Sequence, residues 1–302
     1  MRQHQDLPMW RSLLFCPANS ERFIARAHTR GADAIILDLE DSVAPAEKAG
    51  ARAAVACAAR RIHAGGPEVL VRINRELDLA VQDIDAALCA DVEGLVLPKV
   101  KGPEHVQLIS ELLAVREMER ALPVGHTRLL VLVETAAALA KLNEIATADP
   151  RVVGLAVGGE DLATDLDAEP TADSLYVAKM LGVHAARAAG ILPIGVLASV
   201  ANIERLDQYE AMLVRSRALG FAGATCVHPS HVPLLNTAFA PRSAEVDRAR
   251  RIVDAFEAAG RDGTGVILFE GSMIDKPIII RAQRLLVRAQ NIQSLSTTAA
   301  NS

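Results

Sequence analysis

Two patterns of hydrophobic positions alternate along most of this chain. Short runs that are apolar at nearly every position predict strands buried on both faces, as in a parallel sheet. Longer segments between them have the spacing of amphipathic helices. The predicted strands cover residues 12–17, 34–41, 68–74, 94–100, 128–135, 153–161, 192–198 and 223–229. A helical pattern follows each strand, the last one ending near residue 239, so the chain is predicted to be an α/β protein, a (β/α)8 TIM barrel.

The pattern also divides the chain. We predict a barrel domain over residues 11–240 and a C-terminal extension over 241–292, with residues 1–10 and 293–302 as flexible ends. The extension contains a helix over about 243–260, an apolar stretch within 266–277, and a last helix that ends near residue 290.

Composition narrows the class of protein. The chain has 302 residues, of which 51% are hydrophobic and 3% aromatic, and a net charge of −5. These values argue against a nucleic-acid-binding module, which needs positive charge and stacking aromatics. No apolar run approaches the roughly 18 residues of a membrane span, so we expect no membrane contact. Without an apolar leader we expect a cytoplasmic protein. The four cysteines lack CxxC spacing and are predicted to be buried free thiols.

Two carboxylates end neighbouring predicted strands. Glu134 closes the fifth strand and Asp161 follows the sixth, with one helical segment between them. Neighbouring parallel strands lie about 4.8 Å apart, so the two side chains could hold one cation at the carboxyl ends of the strands. The alternative is two solvated or capping acids. We favour a metal site, and without accompanying Cys or His ligands the oxygen donors suit Mg²⁺ better than zinc.

Three further predicted strands also end in charge. Asp38, Glu40 and Asp41 close the second strand, Arg72 lies within the third, and Lys99 follows the fourth. A buried arginine needs an anionic partner, which here is either the acids of the second strand or a carboxylate of a substrate. The alternative is that the two cations only balance internal acids. Four consecutive charged strand ends favour a lined site.

Other features are weaker signals. Gly159, beside a second glycine, would let the backbone approach a ligand closely. His228 ends the eighth strand and is either structural or catalytic. Arg22, Arg26 and Arg30 form a stripe on the first helix, which is either a solvated face or a contact for the phosphates of a large acyl carrier.

Eight sequence motifs occur in a characteristic order. They are SLLFCPAN, ADAIILDLEDSVAP, VRIN, LPKV, VETA, GGEDLATDL, GFAGATCVHPS and GSMIDKP. In these motifs the chain resembles the citrate lyase β-subunit-like family of CoA-thioester lyases, within the HpcH/HpaI aldolase/citrate lyase superfamily. Malyl-CoA and citramalyl-CoA lyases are relatives in it. The resemblance spans about residues 11–290.

The resemblance implies roles for particular residues. It implies Mg²⁺, for which Mn²⁺ can substitute, held by Glu134 and Asp161. It implies that Arg72 contacts carbonyl or carboxylate oxygens of the substrate, with Glu134 and Gly159 also at the substrate. An acid matching Asp275 is supplied in such lyases by the C-terminal lid of a neighbouring subunit and moves a proton. The strand-end charges Asp38, Glu40, Asp41 and Lys99 are expected around this set.

The implied reaction is cleavage or formation of a 3-hydroxy-carboxyacyl thioester of the citryl-, malyl- or citramalyl-CoA type, giving a 2-oxo acid and an acyl thioester. Two alternatives remain: a divalent-metal aldolase acting on free 2-oxo acids, and a subunit of a larger lyase complex that docks an acyl-carrier protein. The resemblance also implies a homotrimer or hexamer. Two positions depart from the family pattern: Ile194-Gly195 replaces an isoleucine-aspartate pair, and Ala18-Asn19-Ser20 replaces a Gly-Asn-Arg type turn.

Overall fold

A computed structural model describes residues 7–198, 206–260 and 266–300. The chain divides into two compact units, residues 1–239 and residues 240–302. The two units are described separately below.

The first unit is built on eight parallel strands. They are β1 (Ser12–Pro17), β2 (Ala34–Asp38), β3 (Glu68–Arg72), β4 (Gly94–Leu97), β5 (Arg128–Val133), β6 (Val152–Val157), β7 (Leu192–Ile194) and β8 (Ala224–Cys226). They pair in the order β7-β6-β5-β4-β3-β2-β1-β8. Ile194 also forms a parallel bridge with Gly223, and the Gly195 amide donates to the Gly223 carbonyl over 2.8 Å. These contacts join β7 to the start of β8, which confirms the predicted TIM barrel.

Helices follow the strands. They are α1 (Glu21–Ala27), α2 (Lys48–His63), α3 (Leu77–Ala87), α4 (Pro103–Glu119), α5 (Ala136–Leu139), α6 (Leu142–Ala146), α7 (Glu160–Asp165), α8 (Ala172–Ala189), α9 (Leu206–Ala218) and α10 (His231–Phe239). A large apolar cluster fills the space between their inner faces and the outer face of the sheet. Among the described residues, no helix combines the length and the apolar character that crossing a bilayer requires.

Several local predictions differ from the structure. The single helical segment predicted between the fifth and sixth strands is two short helices, α5 and α6. The seventh strand ends at Ile194 because Gly195 has a φ of 139°, which leaves the extended conformation. Of the four cysteines predicted to be buried, only Cys16 and Cys226 are buried; Cys57 is exposed and Cys89 is half-buried. Trp10 lies in the predicted flexible end but is only 2% exposed, and its indole donates a 2.9 Å hydrogen bond to Glu68.

The alternation of side chains along the strands explains why charged residues lie inside the barrel at its carboxyl end. Alternate residues of each strand face inward, where they form a second apolar cluster that includes Ile36, Leu70 and Leu132. Two residues farther along the same rows come Asp38 on β2, Arg72 on β3 and Glu134 just after β5. The two-residue period of the strands therefore turns these charged side chains inward at the carboxyl end of the barrel, where active sites of this fold lie.

The second unit is a helix pair with a β-hairpin. It comprises α11 (Ser243–Gly260), β9 (Ile267–Phe269), β10 (Ser272–Ile274) and α12 (Lys276–Ala300), so the last helix continues about ten residues beyond its predicted end. The hairpin turns at Glu270 and Gly271, which both have positive φ, as a two-residue type I′ turn requires. Its core contains Ile252, Ile274 and Ile279.

Candidate active site

Arg72 is held by the acids of the second strand. Its Nε and Nη2 donate to the two carboxylate oxygens of Asp38, each over 2.7 Å, and its Nη1 lies 2.9 Å from Glu40. The guanidinium also lies 4.7 Å above the Phe15 ring. Although burial works the other way, the hydrogen bonds and charge of Arg72 hold the pKa of Asp38 below its ordinary value. The bidentate geometry thus fixes Arg72 as a permanent cation in the mouth of the barrel.

Lys99 lies between the acids that follow β2 and the Glu134–Asp161 pair. Its ammonium lies 2.8 Å from Glu40, 3.3 Å from Asp41 and 3.8 Å from Asp161. Its backbone N–H donates to Glu134 over 2.7 Å. Lys99 has a φ of 49°, a left-handed conformation that costs a non-glycine residue about 1–2 kcal/mol. This strained backbone directs the amide toward Glu134 while the side chain reaches the acids.

Glu134 is the most perturbed acid of the site. Its side chain is buried, and burial, with Asp161 and Glu40 close by, raises its pKa to about 7. A buried carboxylate flanked by like charges is disfavoured in its ionised form unless a cation compensates. Asp161 stands at the entrance instead, with its side chain 45% exposed, in the first turn of α7. The Glu134 side chain packs directly on the backbone of Gly158, where an added Cβ atom would lie 2.5 Å from Glu134 Cγ.

The donor set fits Mg²⁺. Both candidate ligands are carboxylates. Burial, and after it the charges of Asp161 and Glu40, disfavour the ionised form of Glu134, and a bound divalent cation would offset that cost. Among the described residues, no three His, Cys, Asp or Glu side chains cluster as a metal site. Two carboxylates suffice for Mg²⁺, which usually keeps several waters or substrate oxygens as its other ligands.

A cavity of about 380 Å³ contains the acid pair. Its lining includes Glu134, Asp161, Lys99 and Thr135. Asp165, also in the lining, accepts the Ala136 amide over 2.7 Å and is therefore committed to the start of α5. The cavity is large enough for a small carboxylic acid beside the carboxylate pair.

The remaining residues singled out in the sequence do not belong to the cluster formed by Arg72, Lys99 and their acids. Gly159 is the residue before α7, so it lies at the mouth, but it is the neighbouring Gly158 that packs on Glu134. Asp275 belongs to the second unit, where its carboxylate accepts the Ile278 amide over 3.4 Å as the N-cap of α12. His228 is exposed, with Nδ1 2.6 Å from the hydroxyl of Ser230. Arg22, Arg26 and Arg30 are all exposed.

Sequence reasoning missed one buried cation near the site. Lys179 on α8 is only 4% exposed, and its ammonium donates to the carbonyl of Val157, the last residue of β6, over 2.6 Å. Burial lowers the pKa of Lys179 to about 8, although the charge of Glu134 works in the opposite direction. The signal was present in the sequence, because Lys179 lies between Leu175 and Gly182 on the apolar face of its helix.

Sequence reasoning also missed two cations in the wall of the cavity. Arg75 and Lys101 line the same cavity as Glu134 and Asp161. They follow the predicted charges Arg72 and Lys99 by three and two residues, in the loops after β3 and β4. Loop residues carry no periodic signal, so the sequence alone could not show that they reach the site.

Comparison with known proteins agrees with this architecture. Residues 11–229 match the family model described as HpcH/HpaI aldolase/citrate lyase. The chain is 34% identical over 279 residues to the citrate lyase subunit beta of Leuconostoc mesenteroides subsp. cremoris, covering 91% of this chain and 92% of that one. It is also 34% identical over 293 residues to a (3S)-malyl-CoA thioesterase of Cereibacter sphaeroides, covering 96% of this chain and 97% of the other.

A solved structure is similar over nearly the same span. Protein CitE from Mycobacterium tuberculosis, in complex with magnesium, acetoacetate and coenzyme A, superposes with a TM-score of 0.71 at 31% sequence identity. The match covers 92% of this chain and 97% of that one. The family match, the relatives and the superposition extend over the barrel and its charged mouth. The chain therefore belongs to the HpcH/HpaI aldolase/citrate lyase family.

Proposed function

We propose that this protein is a Mg²⁺-dependent carbon–carbon lyase that cleaves or forms a 3-hydroxy-carboxyacyl thioester of the citryl-, malyl- or citramalyl-CoA type. The products of cleavage are a 2-oxo acid and an acyl thioester. The observation that carries the proposal is the Glu134–Asp161 carboxylate pair in one cavity, linked through Lys99 and Glu40 to an anchored arginine, Arg72, at the mouth of a barrel of this family. The magnesium and coenzyme A bound by the CitE relative support it.

Glu134 and Asp161 would hold the cation. When bound, Mg²⁺ polarises the oxygens of the oxo-acid half and offsets the negative charge that develops as the carbon–carbon bond breaks. The amide of Lys99 keeps one oxygen of Glu134 in place, and Gly158 leaves room for its side chain. Mn²⁺, which also prefers oxygen ligands, is expected to substitute.

Arg72 would stabilise the enolate half of the reaction. Nε and one N–H of Nη2 donate to Asp38, and Nη1 forms ion pairs with Glu40 and Asp41 over 2.9 and 3.6 Å. An oxygen of the substrate would take the second N–H of Nη2. In cleavage the 3-hydroxyl proton passes to water and the oxygen forms the new carbonyl. The carbon–carbon bond breaks, and its electron pair leaves an enolate on the thioester fragment. A fixed guanidinium beside the thioester oxygen stabilises that charge without reorganising as it forms.

Asp275 would protonate the enolate carbon from a neighbouring subunit. In its own unit Asp275 follows a hairpin on which Leu268 and Met273 are 80% and 67% exposed. Apolar side chains of this kind are expected to be covered in an assembly, which supports a homotrimer or hexamer in which this lid closes a neighbour's barrel. Mixing Asp275→Ala with Glu134→Gln subunits under exchange conditions should restore part of the activity. A mixture that stays inactive, while wild-type subunits treated alike recover, would contradict this role.

The decisive experiment is turnover of malyl-, citramalyl- and citryl-CoA with Mg²⁺ and with EDTA, measuring 2-oxo acid and free thiol separately. We expect Mg²⁺-dependent release of oxo acid without free thiol. Release of thiol without oxo acid would identify a thioesterase, the activity named for the Cereibacter relative. Cleavage of a free hydroxy-oxo-acid aldol, with no thioester present, would identify the aldolase alternative. Activity only with the acyl group on a carrier protein would identify a subunit of a larger complex.

A further inference from the structure

Two cations in the wall of the active-site cavity have no partner in the part of the chain that the structure describes. Arg75 and Lys101 line the cavity that contains Glu134 and Asp161. Within residues 7–198, 206–260 and 266–300, neither side chain makes a hydrogen bond or ion pair. The nearby Lys99, by contrast, is engaged with three acids.

Arg75 is the more enclosed of the two. Its side chain is half-buried, and its Nε is shielded from solvent without an acceptor among the described residues. An enclosed donor of a charged group is costly to leave unpaired, so such a group is commonly paired with water, an ion or a ligand. The position is three residues beyond Arg72, where the chain leaves β3 at the mouth of the barrel.

Lys101 reaches the same region from the next loop. It is exposed, and it lies two residues beyond Lys99. Burial, and then the charges of Arg75 and Lys101, lower the pKa of His105, whose Nδ1 is likewise enclosed without a partner. Arg75 and Lys101 both line a single cavity of about 380 Å³, so one anion bound in that cavity is within reach of both.

The acids of the cavity do not neutralise this pair. Asp165 is bonded to the start of α5, and Glu134 and Asp161 are the candidate metal ligands. Glu76 also lines the cavity, but it is exposed and forms no ion pair with Arg75 or Lys101. The cavity thus has an acid pair able to hold a divalent cation and a separate wall of unpaired positive charge.

We infer that Arg75 and Lys101 bind a second carboxylate on the oxo-acid half of the substrate, so that the protein selects 2-oxo dicarboxylates over 2-oxo monocarboxylates. The inference rests on the proposed function, which places the 2-oxo acid in this cavity. A guanidinium pairs with a carboxylate through two parallel hydrogen bonds, and a methyl group at the same place leaves both cations unpaired. Discrimination by a charged group is far stronger than by one methylene.

The test is calorimetric binding of oxaloacetate and of pyruvate in the presence of Mg²⁺, with no thioester. The variants are Arg75→Gln and Lys101→Gln, with Arg75→Lys as a partial rescue. Arg60→Gln is the matched control. It removes the same charge from α2, at a position where the side chain is 80% exposed. Coenzyme A binding is measured on the same proteins.

We expect the wild type to bind oxaloacetate at least about tenfold more tightly than pyruvate, a preference of roughly 1.4 kcal/mol. Arg75→Gln and Lys101→Gln should each reduce that preference by about threefold or more and leave pyruvate binding within about twofold. Arg75→Lys should recover part of the preference, and Arg60→Gln should retain it.

Equal binding of the two acids by the wild type would overturn the inference, as would an equal loss for both acids in the variants. Weaker coenzyme A binding with unchanged oxaloacetate binding would assign the two cations to the phosphates of the carrier instead. Since Lys101 is exposed, its variant keeps the test valid if Arg75→Gln fails to fold. If the wild type cleaves a thioester with Mg²⁺ but has no preference for the dicarboxylate, only this inference fails and the proposed function remains.

Discussion

Glu134 should destabilise the metal-free protein, and Glu134→Gln should remove that cost. Burial with nearby Asp161 and Glu40 raises the pKa of Glu134 from 4.5 to about 7. The difference, about 2.5 pH units, corresponds to roughly 3 kcal/mol at about 1.4 kcal/mol per unit. The folded state holds this proton more tightly than the unfolded state, so stability falls as pH rises from 4.5 to about 7 and stays lower above that range. Glutamine carries no charge and keeps an oxygen to accept the Lys99 amide.

The assay is urea unfolding in EDTA, followed by fluorescence of Trp10. This is the single tryptophan of the chain, and it is buried in the same unit as Glu134. We expect Glu134→Gln to raise the free energy of unfolding by up to about 3 kcal/mol at pH 8 and by less than about 1 kcal/mol at pH 5. Mg²⁺ should stabilise the wild type more than the variant. Glu144→Gln, which changes an exposed acid, should have little effect at either pH.

Two results would refute this reasoning. If Glu134→Gln is no more stable than the wild type at pH 8 in EDTA, the carboxylate is not disfavoured in the folded protein. If the gain is the same at pH 5 and pH 8, it comes from packing and not from ionisation. Either result would remove the disfavoured ionised form of Glu134 as an argument for a cation at this position.

Three further perturbations test the rest of the site and its support. Asp161→Asn removes a charged oxygen ligand, so calorimetry should show weaker Mg²⁺ binding and turnover should collapse while circular dichroism stays unchanged. Arg72→Lys cannot reproduce the planar fork on Asp38 and should lower kcat by about 10²-fold or more; an unchanged rate would make Arg72 only an ion-pair partner. Glu117 is fully buried and accepts two hydrogen bonds of 2.7 Å from Arg151. Glu117→Gln should therefore lower the free energy of unfolding in urea by about 3–5 kcal/mol.

Most of the site could be predicted because its residues end strands. Glu134 and Arg72 continue inward-facing rows whose apolar members are visible in the sequence, so their position at the mouth follows from the strand period. The pairing of Arg72 with Asp38, one of two partners considered, also follows, since β2 and β3 are neighbours in register. Parallel strands bring corresponding ends together, whatever their separation in sequence.

What could not be predicted depends on tertiary packing. A lysine on a helix is ordinarily solvated, and only the packing of α8 against the end of β6 buries Lys179. Gly195 could be recognised as a departure from the family pattern but not explained. Its φ of 139° strains any other residue, whereas an added Cβ atom would lie in ordinary contact with Phe221 at 3.4 Å. Restoring the family's aspartate here would therefore carry a cost in backbone strain and none from a steric clash of its Cβ atom.

The closure of the barrel has a consequence for synthesis of the chain. β1 pairs with β2 on one side and with β8 on the other, and Ser12 donates a hydrogen bond to Asn236 across 224 positions. The pair between Asp38 and Arg72 spans only 34 positions and can form early. Until residue 226 has left the ribosome, β1 retains an open edge and the inward-facing side chains are incompletely covered. A chain that stalls before β8 therefore exposes a strand edge on which other nascent chains can aggregate.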